Sequence, residues 1–369
     1  MGDVLLAGAT GYLGIHVLRE ILTSTAAKVF CLVRAKDGLS GEKRLQTLLE
    51  YYFGNDHTEY FSSRITVIEG DATDPDSLKG FKPDSIMTVI NCAASVKHFA
   101  KGNEIEHANV DSVKNLAAWC EANNARLVHI STGSVIGGRQ NGIPAEGYRF
   151  DEHVLFAGQS VKYNQYVHSK FMAERVIYEE ILTHGLNAKV FRVGDLAPRL
   201  SDGQFQVNFR TNNIMNTLRA YKILGLVNFG TLAEEIEFSP IDCLAKAVIA
   251  LAGTPKECIC FIPLNPHRAL MQDVFSEIRG LGYEIRTADD DELQQALDAA
   301  LSDSRKNSAV SPLVAYANNS GVQELGLDSL NISFTLQTLY RLGFSWPETG
   351  SEYIRQFIRK LDELSFFDE

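Results

Sequence analysis

The first half of the chain alternates short apolar runs with amphipathic stretches. The runs at 4–7, 29–33, 65–68, 86–90, 127–130 and 188–192 are candidate strands. Most of them lack polar alternation, which indicates strands covered on both faces of a parallel sheet. The stretches between them, such as 15–22 and 113–122, carry apolar residues at helical spacing. The pattern predicts an α/β fold with a Rossmann-like, doubly wound parallel sheet.

The pattern loosens after Pro198, and mainly helical segments such as 291–301 and 352–364 follow. We therefore expect a Rossmann domain at 1–196, to which 233–262 return, and a smaller, mainly helical C-terminal domain that covers the substrate. This second domain is expected to comprise 197–232 and 263–369. A chain of 369 residues accommodates one or two domains.

Composition and charge exclude several classes of protein. With 45% hydrophobic and 22% charged residues, the chain is not of the disordered or collagen-like type. The 35 basic and 46 acidic residues give a net charge of −11, which disfavours binding to nucleic acid or to anionic membranes. The six cysteines are scattered without zinc-type spacing, so we expect reduced thiols and no metal site.

The location of the protein follows from its first residues and its apolar runs. No secretory leader and no apolar run of transmembrane length stands in the sequence, so we expect a cytoplasmic protein without a membrane partner. The first predicted strand begins almost at the N-terminus, which suggests that the chain is cut from a longer polypeptide.

A glycine triplet follows the first predicted strand and opens the next helix. Its spacing is G-x-x-G-x-x-G, and such glycines let the backbone turn tightly and approach a pyrophosphate at the helix N-terminus. The position directly after the first strand of a βα series favours a dinucleotide site over an ordinary glycine-rich turn. The candidate cofactor contacts in this loop are Gly8, Thr10, Gly11, Tyr12, Leu13 and Gly14.

Further candidate cofactor contacts follow the next strands. Arg34 ends the second strand, where a guanidinium can stack on adenine and pair with a ribose 2′-phosphate, which favours NADPH over NADH. Arg44 is a second candidate phosphate partner or a solvated helix residue. Asp71 can hold the adenine amine or cap a helix. Ala93 and Ala94, after the fourth strand, are small enough for the cofactor to pass closely.

Three residues form a candidate catalytic set. Tyr166 and Lys170 are spaced to share one helical face, so an ammonium can lower the pKa of the phenol and hold the nicotinamide ribose. Thr132 ends the preceding strand. Alone, the Tyr-x-x-x-Lys pattern also fits an exposed tyrosine beside a solvated lysine. Its agreement with the glycine triplet and the strand-end threonine favours the catalytic interpretation.

These motifs resemble the extended short-chain dehydrogenase/reductase superfamily. Within it, the sequence is most similar to the terminal thioester reductase domains of nonribosomal peptide synthetases, polyketide synthases and carboxylic acid reductases. The resemblance is strong up to about residue 260 and loose beyond it. The residues that carry it are 6–14, 31–35, 70–71, 91–94, 109–110, 131–132, Tyr166, Lys170, 192–194 and 239–242.

The resemblance implies that NADPH reduces an acyl or peptidyl thioester and releases it as an aldehyde, with further reduction to an alcohol left open. Thr132 and Tyr166 would stabilise the carbonyl oxygen. Tyr166 would relay the proton, and Lys170 would adjust the pKa of the Tyr166 phenol. Asn109 would help to fix Lys170 through water. The implied partner is a carrier protein domain bearing a phosphopantetheine thioester, in the same parent polypeptide.

Two other functions share parts of this pattern. A nucleotide-sugar epimerase or dehydratase has the same fold and catalytic pair, but it would prefer an acid at position 34, where this chain has Arg34. A non-catalytic NADPH-binding protein would tolerate the loss of Tyr166 and Lys170, which are both present in register.

Two segments remain open to more than one interpretation. Ser329 lies in Gly-Leu-Asp-Ser-Leu, which resembles a phosphopantetheine attachment site and would make 288–369 a carrier domain, although the same tail resembles the C-terminal helices of thioester reductases. The stretch 203–232 contains no acidic residue but holds Arg210 and Arg219. It is either a docking surface for an acidic carrier or an amphipathic helix that packs on the core.

Overall fold

The computed structural model describes residues 2–55, 58–81, 85–96, 103–315 and 321–367. The chain divides into two compact units, each built from three separate stretches. The first unit comprises Met1–Gly194, Ile241–Leu264 and Gly321–Ser345. The second unit comprises Asp195–Pro240, Asn265–Ser320 and Trp346–Glu369.

Within the described ranges, the strands are β1 (Asp3–Ala7), β2 (Val29–Val33), β3 (Ile65–Glu69), β4 (Ile86–Asn91), β5 (Arg126–Thr132), β6 (Gly138–Arg139), β7 (Ala188–Val193), β8 (Leu196–Ala197), β9 (Leu226–Asn228), β10 (Glu235–Glu237), β11 (Ser239–Pro240), β12 (Cys260–Phe261), β13 (Arg268–Leu270), β14 (Arg286–Ala288) and β15 (Gln323–Glu324). The helices are α1 (Tyr12–Ser24), α2 (Gly41–Phe53), α3 (Thr58–Ser63), α4 (Glu104–Glu106), α5 (Ser112–Asn123), α6 (Gln165–His184), α7 (Asn213–Leu224), α8 (Phe229–Leu232), α9 (Ile241–Ala252), α10 (Met271–Gly280), α11 (Asp290–Ser302), α12 (Asn307–Val310), α13 (Pro312–Ala315), α14 (Ser333–Arg341) and α15 (Ser351–Glu363).

A seven-stranded parallel sheet forms the centre of the first unit. Its strand order is β12-β7-β5-β4-β1-β2-β3. The chain moves outward in one direction from β1 through β2 to β3 and in the other direction from β4 onward, so the order reverses between β1 and β4. In such sheets, ligands bind in the crevice beyond the carboxyl ends of the strands at this reversal. The predicted fold class is confirmed.

Burial on both faces explains why the sheet strands are apolar runs. Leu5, Val89 and Leu127 belong to one buried cluster with Val113 of α5 and Ala173 of α6, so these helices cover one face. Helix α1 packs against α9. Since successive side chains of a strand point to opposite faces, strands covered on both sides need apolar residues throughout.

The second unit is mainly helical. Helix α7 packs against α12, and α10 packs against α15. Short strand pairs complete the unit: β9 pairs with β14 in parallel, and β10 pairs with β13 antiparallel. Aromatic residues fill part of its core, where Phe238 contacts the rings of both Tyr353 and Phe357.

The division of the chain differs from the sequence expectation in two places. Segment 321–345 belongs to the first unit, because Leu330 is buried in a cluster with Phe150 and Ile262. The segment 233–240 belongs to the second unit, since β10 and β11 there pair with β13 and β8. The stretch 288–369 is therefore split between the units rather than forming a separate carrier domain.

Polar bonds also hold the 321–345 segment in the first unit. The hydroxyl of Thr335, in α14, donates to the carboxylate of buried Glu152 at 2.6 Å and accepts from the backbone N–H of Ile262 at 2.8 Å. The backbone N–H of Phe150 donates to the carbonyl of Ser329 at 2.7 Å. Ser329 thus lies in a loop that bonds to the body of this unit.

Candidate cofactor and catalytic site

The glycine loop between β1 and α1 is closed by its own backbone. Gly8 has a φ of +80°, a conformation that favours glycine, and a Cβ there would lie 2.5 Å from the backbone nitrogen of Ala93. A Cβ on Gly14 would lie 2.0 Å from the carbonyl oxygen of Gly8. The backbone N–H of Gly11 donates to that same oxygen at 2.9 Å, and Gly11 precedes α1 as its N-cap.

This loop fits a cofactor pyrophosphate. The N-cap glycine places no side chain over the start of α1, where backbone N–H groups and the helix dipole favour an anion. Thr10 lies in the loop, and Tyr12 and Leu13 lie in the first turn of the helix; their contact with a cofactor stays a prediction. The cradle fits because side chains larger than hydrogen are excluded at Gly8 and Gly14.

Arg34, Arg44 and Asp71 meet beyond the carboxyl ends of β2 and β3. The Arg34 guanidinium forms an ion pair with Asp71 at 3.1 Å, and its side chain is 64% exposed. Arg44, in α2, donates to the backbone carbonyl of Arg34 at 2.5 Å. The sequence spreads these residues over 38 positions, and the sheet brings them into one cluster of two guanidinium groups and one carboxylate.

Asp71 closes its own turn rather than capping a helix. One carboxylate oxygen accepts from the backbone N–H and the hydroxyl of Thr73, both at 2.9 Å, and the other accepts from Arg34. Partial burial opposes the charged form, but the bonds from Thr73 and the charge of Arg34 outweigh it and lower the pKa of Asp71.

The end of β4 lies directly against the glycine loop. The backbone N–H of Cys92 donates to the carbonyl of Ala7 at 2.9 Å, and Ala93 is the residue that a side chain on Gly8 would strike. Ala94 follows and is exposed. The small side chains of Ala93 and Ala94 therefore leave the surface beside the glycine loop uncovered.

Tyr166 and Lys170 occupy the first turns of α6. The side chain of Asn164 caps this helix and accepts from the backbone N–H groups of Tyr166 and Val167. Tyr166 is partly buried, whereas Lys170 is only 1% exposed. The ammonium nitrogen of Lys170 donates to the carbonyl of Ile130 at 2.5 Å. Helical spacing thus places the phenol and the amine on one face.

Burial changes the acid–base behaviour of Lys170. Loss of solvent lowers the pKa of Lys170 to about 8, although the negative charge of Glu174 acts in the opposite direction. Next to it, His129 is fully buried, and its Nε2 lies 3.2 Å from the lysine nitrogen. Burial first, and the lysine charge second, hold the pKa of His129 well below its usual value.

Thr132 ends β5 and begins a 3₁₀ turn. Its hydroxyl accepts from the backbone N–H of Ser134 at 3.2 Å, and its oxygen lies 3.2 Å from the Ser134 hydroxyl. Thr132 is 8% exposed. The side chain is therefore oriented by the turn that follows the strand, at the carboxyl edge where α/β folds bind their ligands.

Asn109 contacts the helix that carries Tyr166 rather than Lys170 directly. It lies in a π-helical turn at His107–Asp111, is 1% exposed, and exchanges two hydrogen bonds with the backbone of Ser95. Its amide also donates to the Ser169 hydroxyl at 2.9 Å, and Ser169 donates to the carbonyl of Tyr166 at 2.8 Å. Such π-turns are frequent at functional sites.

A buried ion pair lies one helical turn beyond Lys170. Arg192 of β7 and Glu174 of α6 are both fully buried, and their side chains meet at 2.8 Å. The Ser131 hydroxyl adds a bond to Glu174 at 2.5 Å. Sequence reasoning missed Glu174 and His129 as neighbours of Lys170. The i, i+4 spacing from Tyr166 through Lys170 to Glu174 was the available signal for Glu174.

Known proteins share this architecture. Residues 6–248 match the model of an NAD-binding family described as Male sterility protein. The structure of a thiolation-reductase di-domain from an archaeal non-ribosomal peptide synthetase is 34% identical in sequence and superposes with a TM-score of 0.88, over 99% of this chain and 76% of that chain. This chain belongs to the NAD-binding family, as a reductase domain of the extended short-chain dehydrogenase/reductase superfamily. It is an oxidoreductase that uses a nicotinamide cofactor.

More distant relatives agree with this assignment. The chain is 29% identical over 292 residues to the isonitrile lipopeptide synthase of Streptomyces coeruleorubidus, a match that covers 77% of this chain and 19% of that protein. The reductase domain of the aureusimine biosynthetic cluster, at 22% identity, has the same fold with a TM-score of 0.81, over 98% of this chain and 91% of that chain. The reductase thus spans about a fifth of that lipopeptide synthase. None of the helices in the described ranges has the length and apolar character needed to cross a membrane.

Proposed function

We propose that this reductase uses NADPH to release a carrier-bound acyl or peptidyl thioester as an aldehyde, with further reduction to an alcohol as an open second step. The observation that carries the proposal is the buried Lys170 one turn after Tyr166, with its nitrogen bonded to the carbonyl of Ile130 near the end of β5. Relatives that are synthases of peptides and lipopeptides support a thioester as the substrate.

The proposed roles follow from the side chains. The bound cofactor supplies a hydride to the thioester carbonyl carbon. Tyr166 donates its phenolic proton to the carbonyl oxygen, and Thr132 donates a hydrogen bond to the same oxygen, so that a thiohemiacetal forms. When the C–S bond breaks, the Tyr166 phenolate takes the hydroxyl proton, the C=O bond re-forms, and the departing thiolate takes a proton from solvent. Lys170 holds the nicotinamide ribose and lowers the pKa of the Tyr166 phenol.

The cluster at Arg34 supports NADPH rather than NADH. An exposed ion pair such as that between Arg34 and Asp71 contributes only about 0–1 kcal/mol, so a 2′-phosphate dianion can compete for the guanidinium. Arg44 brings a second positive charge to the same place. Asp71 would then be available to the adenine amine. The Arg34 position also disfavours the nucleotide-sugar alternative, which calls for an acid there.

The proposal also includes a partner and a role for each of the two units. A carrier domain with a phosphopantetheine thioester would deliver the substrate, in the same parent polypeptide. The archaeal relative, a thiolation-reductase di-domain, supports this arrangement. The first unit would bind the cofactor and the second unit the substrate. The unpaired state of the six cysteines supports a cytoplasmic location.

In the second unit, helix α7 turns one apolar face inward, with Leu218 and Tyr221 buried. The guanidinium of Arg210 lies over the ring of Phe209 and donates to the carbonyl of Leu364 at 3.1 Å. Arg210 therefore already serves packing within this unit, which favours the structural interpretation of 203–232 over carrier docking.

The decisive assay is oxidation of NADPH with a panel of acyl thioesters, with products identified by mass. We expect turnover with thioesters, an aldehyde product, and no turnover with free acids or nucleotide sugars. Tyr166→Phe should lower kcat by roughly 100-fold or more, because general acid catalysis contributes on that order. Tyr340→Phe, at a tyrosine that is 76% exposed, is the matched control and should not change kcat. Full turnover in Tyr166→Phe would overturn the proposal.

Cofactor preference has its own test. Arg34→Ala should lower the ratio of kcat/KM for NADPH over NADH by roughly 10- to 100-fold, since a charge-assisted bond to phosphate is lost. Arg341→Ala, at an exposed position in α14, is the control and should leave the ratio unchanged. An unchanged ratio in Arg34→Ala would remove the basis for NADPH.

A further inference from the structure

A chain of three buried polar side chains leads from β4 through β5 to the candidate catalytic lysine. Asn91 and His129 are both fully buried, and Lys170 is 1% exposed. The Asn91 amide nitrogen lies 3.3 Å from His129 Nδ1, and the Lys170 nitrogen lies 3.2 Å from His129 Nε2. Both ring nitrogens of His129 therefore face a nitrogen atom.

The orientation of the Asn91 amide is fixed by the backbone. The N–H of Ala93 donates to Asn91 Oδ1 at 3.0 Å. A flipped amide would set its NH₂ group against that N–H, two donors face to face. Asn91 therefore presents its NH₂ group to His129, and Nδ1 of His129 must accept the bond.

The state of His129 then depends on the charge of Lys170. A neutral imidazole has one N–H and one acceptor nitrogen. If Nδ1 accepts from Asn91, Nε2 carries the proton and points it at Lys170, which can accept it only as a neutral amine. If Lys170 is an ammonium, it needs Nε2 as acceptor, and the Nδ1–H then opposes the NH₂ group of Asn91. The Asn91–His129 bond and a bond from the ammonium to His129 exclude each other.

We propose that His129, oriented by Asn91, is a positioning residue that opposes the ammonium form of Lys170, and that its imidazole changes tautomer when Lys170 changes charge. The inference concerns the charge state of the lysine, and only its kinetic consequence rests on the proposed function. The Ile130 carbonyl accepts from the Lys170 nitrogen in either state, so it holds the side chain in place without selecting a charge.

Other charged or titratable groups face Lys170 and affect its charge state. Glu174 lies on the same helix and favours the ammonium, but Arg192 of β7 pairs with its carboxylate. Cys92, after β4, favours the ammonium only as a thiolate, and burial raises the pKa of the Cys92 thiol to about 12. His129 is thus the group in direct contact whose hydrogen-bonding state can change near the pKa of Lys170.

The tautomer can be observed without substrate. In protein labelled with ¹⁵N-histidine, long-range ¹H–¹⁵N correlation spectra distinguish Nε2–H from Nδ1–H, and His129→Gln identifies the signal among the nine histidines. For the native chain we expect Nε2–H well above pH 8 and a change toward Nδ1–H below it. An Nδ1–H tautomer across the whole range, or an Nε2–H tautomer that never changes, would overturn the proposal.

Two variants test the mechanism of the coupling. Asn91→Asp keeps an acceptor for the Ala93 N–H but replaces the NH₂ group by an oxygen, so His129 should carry Nδ1–H and accept from the ammonium. His129→Gln offers an amide oxygen to Lys170. Both should move the alkaline limb of the kcat/KM profile upward by about one pH unit, equivalent to roughly fivefold more activity at pH 9 relative to pH 7.

The control is His184→Gln, at a histidine in the last turn of α6 whose side chain is 60% exposed; it should leave the limb in place. A merely structural role for His129 would lower kcat/KM equally at all pH values, and that result would refute the inference. If the tautomer changes as expected but no thioester is reduced, the proposed function fails and this inference stands. If thioesters are reduced while the tautomer stays fixed, this inference fails and the proposed function stands.

Discussion

Substitution of Gly14 by alanine tests the glycine loop where its geometry is tightest. A Cβ at this position would lie 2.0 Å from the carbonyl oxygen of Gly8 and 2.8 Å from its carbonyl carbon. Both contacts are with backbone, which cannot rotate away as a flexible side chain would. To reach even 3.0 Å from that oxygen, the loop and α1 must separate by at least 1 Å.

The size of the effect follows from this separation. Overpacking of a tight site typically costs about 1–3 kcal/mol. Without cofactor, the loop can relieve the strain by moving outward, into the space where a pyrophosphate would bind. With cofactor, that movement is blocked, so the cost appears in binding. Since about 1.4 kcal/mol is a tenfold change in affinity, Gly14→Ala should weaken NADPH binding by roughly 10- to 100-fold.

The assay is fluorescence titration of NADPH with the native chain, Gly14→Ala and a control. Gly280→Ala is that control, because Gly280 ends α10 and a Cβ there meets no atom within 4 Å. The control should bind NADPH within about twofold of the native chain, as it leaves the loop untouched. Native-like affinity in Gly14→Ala would show that the backbone contact does not shape the cofactor site.

Three further predictions concern buried groups and the C-terminal segment. Glu174→Gln should lower the free energy of unfolding in urea by about 3–5 kcal/mol, because it leaves the Arg192 charge buried without its partner; Arg192→Met added to it should recover much of the loss. Burial lowers the pKa of Lys170 from 10.5 to about 8, so the folded state binds fewer protons between these values and the free energy of unfolding rises with pH there. Lys170→Met should remove about 3 kcal/mol of that rise between pH 8 and 10.5, and an unchanged slope would contradict the assignment. Incubation with a phosphopantetheinyl transferase should add no mass at Ser329, whose loop bonds to the body of the first unit; a modified Ser329 would contradict this.

The parallel sheet could be predicted because its physical cause is local. Strands buried on both faces must be apolar at successive positions, and the runs at 4–7, 29–33 and 127–130 coincide with β1, β2 and β5 to within a few residues. β12, Cys260–Phe261, also lies within an apolar run, 258–262, although the strand itself has only two residues. The glycine triplet could be placed for the same reason, since tight turns and close approach leave a mark in the sequence itself.

The surroundings of Lys170 and the path of the C-terminal segment could not be predicted in this way. His129 stands inside an apolar run and is indistinguishable there from a core strand residue, until the fold sets it against Lys170. The bond between Glu152 and Thr335 joins positions 183 residues apart. No pattern within either segment encodes such a pairing, which arises only when the chain has closed on itself.

The interleaved chain path constrains any engineering of this reductase. The second unit is assembled from Asp195–Pro240, Asn265–Ser320 and Trp346–Glu369, so the polypeptide passes between the units five times. If the second unit binds the substrate as proposed, a chimera designed to accept a different acyl chain cannot be made with a single splice. Such a graft has to import three inserts in register and retain α14, whose removal would take Thr335 away from the buried Glu152.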